Sequence, residues 1–182
     1  DAGEVITYQI VIEHDALCEI EAKDVLITDT FPSQLISVTV ESVDASSGIA
    51  PVPAADATGN TVTVPAAGTL DIPVGEVITL TVSAVVDLSI LPSEIVTNTA
   101  EVTWTSLEGP NDDERDGNGG IDDYEETDDA SFTSDAPALN KALVDTSAAH
   151  TPGANVTIGE IITYSIDVTL PETTIPSIVI TD

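Results

Sequence analysis

The chain has 182 residues, an apolar fraction of 42%, and 33 acidic against 3 basic residues, for a formal net charge of −30. An apolar fraction of that size excludes global disorder, and so little Lys and Arg excludes nucleic acid as a partner, because phosphate contacts need cations. Self-repulsion at this charge opposes compaction unless counterions neutralise it. Divalent ions in specific sites would serve, and so would high external salt around an acidic cell-envelope protein of a halophile.

The kind of apolar residue sets the fold class. Val, Ile and Thr dominate, Met is absent and aromatics are 3%. β-branched side chains suit a pleated surface better than a helix, so the chain is expected to be all-β. The first strand runs Glu4 to Ile12, with Ile6, Tyr8, Ile10 and Ile12 on one face and Thr7 and Gln9 on the other. Val25 to Thr28 is a short strand that ends in the turn signal Asp29-Thr30-Phe31-Pro32, and Leu35 to Val43 alternates again. Asp44 to Asn60 is rich in Ala, Ser, Pro and Gly and is expected to be loop. Strands follow at Thr61 to Val64, Glu76 to Asp87 and Ile95 to Thr105, the last carrying Trp104. Short strands divided by Gly/Pro turns predict a Greek-key β-sandwich over residues 1–108.

Residues 109–135 change character to acid, Gly, Asn and Ser, and are expected to form a connector. Asn111 to Tyr124 offers six carboxylates, two amides and three glycines. Calcium takes six to eight oxygens from such groups, and Asp112, Glu114, Asp116 and Asn118 present oxygens at alternate residues. The expected ligands are Asp112, Asp113, Glu114, Asp116, Asn118, Asp122, Asp123, Asp128 and Asp129. The run is not an EF-hand: the full D-x-[DN]-x-[DN]-G-x5-E pattern fails, and no helices flank it. A solvated acidic linker is the alternative.

Residues 136–182 open a second unit. Pro137 to Val144 is expected to be a new first strand. After it, Gly159-Glu160-Ile161-Ile162-Thr163-Tyr164-Ser165-Ile166 repeats Gly3-Glu4-Val5-Ile6-Thr7-Tyr8-Gln9-Ile10, and Ile180-Thr181-Asp182 repeats Ile27-Thr28-Asp29. The inward set Ile6, Tyr8, Ile10 and Ile12 becomes Ile162, Tyr164, Ile166 and Val168. The order and the retained core face predict tandem repeats, one nearly whole and one incomplete. The strand equivalent to Pro137 to Val144 is expected to be missing ahead of the first copy, so neighbouring copies of the repeat are the expected partners. Glu4 and Glu160, recurring at strand starts, could add calcium ligands. Asp29 and Asp182 recur at strand ends, where turn capping is the plainer role.

Gly3-Glu4 with Tyr8, then Ile27 to Pro32, then Asn98-Thr99-Ala100-Glu101-Val102 resemble the DUF11 or conserved-repeat domain of bacterial and archaeal surface proteins. The resemblance implies an immunoglobulin-like sandwich strung in extracellular arrays, as in adhesins, fibres and filaments, with no catalysis. It also implies, for a wider group, Lys–Asn isopeptide crosslinks promoted by a nearby carboxylate. Asn98 would be the acceptor. Lys141 stands at the matching position of the second copy, and the first copy has no such lysine, so the bond cannot be closed by that pairing within these residues.

The remaining candidates are plain. His14 and His150 lack nucleophile or zinc context and are expected in exposed loops. Cys18, the single cysteine, permits no internal disulfide and is expected to be a small buried residue, with intermolecular pairing as the alternative. Trp104 is expected in the core or against the connector. One Trp, two Phe and three Tyr are few for stacking on sugars. A carbohydrate- or surface-binding module stays open through the outward Thr79, Thr81 and Thr103. No apolar run suited to membrane insertion is visible.

Overall fold

The computed structural model describes residues 1–109, 115, 124–147 and 155–181. Ten strands follow in chain order: β1 (Val5–Glu13), β2 (Lys23–Thr30), β3 (Leu35–Ala45), β4 (Asp56–Thr58), β5 (Thr61–Val64), β6 (Val77–Val86), β7 (Ile95–Thr105), β8 (Glu125–Thr133), β9 (Ala138–Thr146) and β10 (Ile162–Thr169). Among the described residues there is no helix.

Two antiparallel sheets face each other. One has three strands in the order β1-β6-β3; the other has five, β4-β5-β2-β7-β8. The chain crosses between sheets on passing from β1 to β2, β2 to β3, β3 to β4, β5 to β6 and β6 to β7. This is an immunoglobulin-like β-sandwich. β9 and β10 form a separate two-stranded sheet.

Alternation makes the core. β6 buries every second residue from Ile78 through Leu80, Val82 and Ala84 to Val86, and leaves Val77, Thr79, Thr81, Ser83 and Val85 half-buried on the other face. β2 contributes Val25 and Ile27, and β5 contributes Val62 and Val64. Each fully buried Val, Leu or Ile side chain stabilises the fold by about 1.5–3 kcal/mol relative to exposure. On β1 the expected face of Ile6, Tyr8, Ile10 and Ile12 points inward but is only half-buried.

Three expectations are corrected. The loop predicted over 44–60 holds the short strand β4 on the edge beside β5. The acidic segment predicted as a connector over 109–135 supplies β8, which pairs with β7 from Ile95↔Thr133 to Thr103↔Glu125. Charge at an edge strand is tolerated because one side faces water, and Phe132 anchors the strand against the core near Val96. Cys18 is exposed, not buried.

Candidate functional site

The inward parity of two neighbouring strands carries polar groups into the core. On β2, Val25 and Ile27 are followed by Asp29; on β7, Val96 is followed by Asn98. Asp29 is fully buried and Asn98 nearly so. The Asn98 Nδ2 donates to both carboxylate oxygens of Asp29, at 2.8 and 3.0 Å. Burial pushes the Asp29 carboxyl up to about 6, and the Asn98 amide, which stabilises the anion, opposes that rise.

Tyr8 of β1 completes the cluster from the opposite sheet. Its phenol is raised above the ordinary value first by burial and then by the Asp29 charge. Its ring meets Phe31 edge-on, with centroids 5.5 Å apart. Among the described residues, the Tyr8 hydroxyl and the Asn98 Oδ1 are buried polar atoms without a hydrogen-bond partner. Such orphans are costly in a folded core, so the cluster has unused bonding capacity. Asp29 is thus a core carboxyl rather than a turn cap. Period-two parity, Val25-Ile27-Asp29 against Val96-Asn98, was the signal that could have joined them.

The Gly-Glu pairs have a structural use of their own. Gly3, Gly75 and Gly159 take φ of +83, +75 and +93°, a region that favours glycine. In each turn the glutamate amide donates to the carbonyl three residues back: Glu4 to Asp1, Glu76 to Pro73 and Glu160 to Thr157, at 3.1–3.2 Å. The Glu4 carboxylate accepts from the Asp1 nitrogen at 2.5 Å, and the Glu160 carboxylate from the Thr157 amide at 2.9 Å. Pro73 has no N–H, and the Glu76 carboxylate instead accepts from the Ser46 hydroxyl and, at 3.0 Å, from the Gly48 amide. The sequence Gly75-Glu76-Val77-Ile78-Thr79 is identical to residues 3–7, a third instance that sequence reasoning missed.

Of the expected calcium ligands, Asp112, Asp113, Glu114, Asp116, Asn118, Asp122 and Asp123 lie outside the described residues, as do Asp182 and His150. Asp128 and Asp129 are exposed neighbours on β8, so they point to opposite faces. Glu4 and Glu160 serve their own turns. Among the described residues no three acidic, His or Cys side chains gather into a metal-binding group. At the neck of the acidic run, the Trp104 ring stacks on Tyr124 with centroids 5.5 Å apart, and the Trp104 amide donates to the Tyr124 carbonyl at 3.0 Å. His14 is half-buried, with Nδ1 donating to the Ile72 carbonyl at 2.8 Å.

An open groove of about 610 Å³ runs between β1 and the β7–β8 side of the facing sheet. Ile10, Ile12, Val102 and Trp104 form apolar walls, and Glu126 and Asp128 add charge.

Neither a family model nor a curated protein matches the chain. Among solved structures it is similar to the fimbrial adhesin FimA of Actinomyces, at 16% identity and a TM-score of 0.46, over 78% of this chain and 53% of that one. It is similar to domains D2 and D3 of the major pilin SpaD of Corynebacterium diphtheriae, at 15% identity and 0.46, over 79% and 50%. It is similar also to BcpA, the major pilin subunit of Bacillus cereus, at 11% identity and 0.46, over 94% and 52%. The likeness is one of fold. The chain spans about half the length of these solved chains.

Proposed function

We propose that the chain is a structural repeat of an extracellular surface fibre or adhesin, of the conserved-repeat kind, stiffened by calcium, and that it catalyses no turnover. The observation that carries this reading is the internal repeat: a sandwich whose first strand begins Gly-Glu is followed by a hairpin whose second strand begins the same way. Chains that repeat a unit unable to cover its own apolar face gain stability by stacking copies. Calcium would act in the acidic run between β7 and β8, where carboxylates crowd and repel without a cation. Trp104, the single tryptophan, sits at the neck of that run and reports on it. Titrating calcium into chelator-treated protein is expected to give saturable heat together with a change in Trp104 emission. Neither signal at millimolar calcium would remove calcium from the proposal.

The Asp29–Asn98 pair favours a second, compatible role as a crosslinking centre. A neutral lysine amine attacks the Asn98 Cγ, the bond from Cγ to Nδ2 breaks, and ammonia leaves. Protonated Asp29 supplies the proton the leaving nitrogen needs and takes back the one the amine gives up, so the step consumes no co-reactant. Such a bond lowers the mass by one ammonia.

A further inference from the structure

We propose that the turn between β6 and β7, residues 87–94, is the seat on which the following repeat rests the loop after β10, and that this seat orders the joint without an ion. The inference rests on the repeat reading above and names the surfaces through which one repeat meets the next.

The turn is built as a platform. Ile90 is fully buried and roots it in the core. The Glu94 carboxylate accepts from the Leu91 amide and from the Gln34 side-chain amide, both at 2.7 Å. The chain that leaves β8 is tied to the same platform. Ser134, itself buried, donates through Oγ to the Leu91 carbonyl at 2.6 Å and accepts there from the Glu94 amide at 2.9 Å. Its own amide donates to the Glu94 carbonyl at 3.0 Å, and the Ser93 amide donates to the Asp135 carbonyl at 3.2 Å. Residues 134–137 therefore leave the sandwich from a fixed point, and Pro137 restricts φ at their end.

Strand pairing brings the second unit back to the turn. β9 leads away from the sandwich, and β10 returns until Thr169 lies opposite Ala138, the residue that follows the linker. The loop after β10 then makes contact. The Thr174 amide donates to the Ile90 carbonyl at 2.9 Å, and the Thr174 hydroxyl to the Leu88 carbonyl at 2.5 Å. One threonine thus meets two carbonyls at alternate residues of the turn. Beside it, the Glu172 carbonyl accepts from the Ala2 amide at 2.7 Å, and Ala2 is buried. Pro171 and Pro176 bracket the loop and restrict φ, so little conformational freedom is lost on seating. These contacts join neutral groups, so they form without a cation in a chain of net charge −30.

The acidic run borders the other end of the sandwich. β7 starts at Ile95, beside the seat, and ends at Thr105; β8 starts at Glu125, opposite Thr103. The 11 residues of β7 hold the two ends roughly 30 Å apart. An ion held in the run would act at that far end and not at the seat.

The test is a distance measurement in the whole chain carrying Cys18→Ser, with spin labels at Thr99→Cys on β7 and Asp167→Cys on β10, both exposed positions. In chelator a single narrow distance population is expected, and millimolar calcium is expected to leave it in place. Thr174→Pro removes the amide donor and is expected to lose the narrow population while the melting temperature of the sandwich holds. Thr173→Val removes a covered hydroxyl that has no hydrogen-bond partner and is expected to keep it. A broad population in chelator, or the same response to both substitutions, would overturn the seat. A population that narrows only when calcium is added would overturn the ion-free joint. A narrow population in a chain that calorimetry shows to bind no calcium would remove calcium from the reading above and keep the seat.

Discussion

Asp29 has an acidic proton and almost no water to share it with. Its carboxyl is pushed up to about 6 by burial, against the opposing bond from Asn98. A folded-state value above the unfolded one means that the folded protein holds more protons between about pH 4 and pH 6, so stability falls as pH rises through that window. The penalty, complete above the window, is on the order of 3 kcal/mol. Asp29→Asn keeps the shape and lets one amide accept from Asn98 without a charge. Its urea midpoint is expected to change less than the parent's between about pH 4.5 and pH 7.5; equal changes in the two proteins would refute the assignment. Asn98→Ala removes the donor that holds the carboxylate and is expected to cost about 1–3 kcal/mol, more at the higher pH.

The strands themselves were largely legible in alternation. β5 and β7 span the residues that period-two reading picked out, and the bounds of β1, β2, β3, β6 and β9 shift by no more than two residues. β8 is hard to see in the sequence because its charge masks its parity: Asp128, Ala130 and Phe132 alternate inward as any edge strand's would. Parity puts Asp29 and Asn98 each on the inward face of its strand, which the sequence shows, but that the two faces meet at these residues is a register property that one sequence does not give. The Gly-Glu turn is the element whose sequence and geometry agree best. Alanine at position 75 would meet only Ala16, at 3.5 Å, and alanine at position 3 would meet nothing. Space is therefore not the obstacle. The positive φ is, and it costs an L-residue roughly 1–2 kcal/mol. Gly75→Ala and Gly3→Ala are each expected to lower unfolding free energy by about that amount, read from urea curves with unchanged slope. Substitutions that leave the midpoint in place would show that these turns relax, and that the recurring glycine serves some other need.

At the scale of the whole molecule the dominant fact is a charge of −30 on 182 residues. The cationic contacts of two lysines are local: Lys23 bridges Glu21 at 2.6 Å and Asp71 at 2.8 Å, and Lys141 lies over Tyr164. They leave most of the field uncompensated. Diffuse repulsion of this kind is screened by any salt, over a length that shrinks to about 3 Å at 1 M. A bound divalent ion acts differently: it stabilises by mass action, through its preference for the folded state. The two remedies therefore separate in one experiment. In chelator, melting temperature is expected to climb gradually with sodium chloride from about 0.05 to 2 M. Calcium at a few millimolar, against a background of roughly 0.15 M salt that already screens the surface, is expected to add a further rise that magnesium at equal strength does not match, because magnesium keeps its waters and demands a stricter shell. If sodium at equal ionic strength reproduces the whole calcium effect, the acids serve as a salt-adapted surface and hold no specific ions.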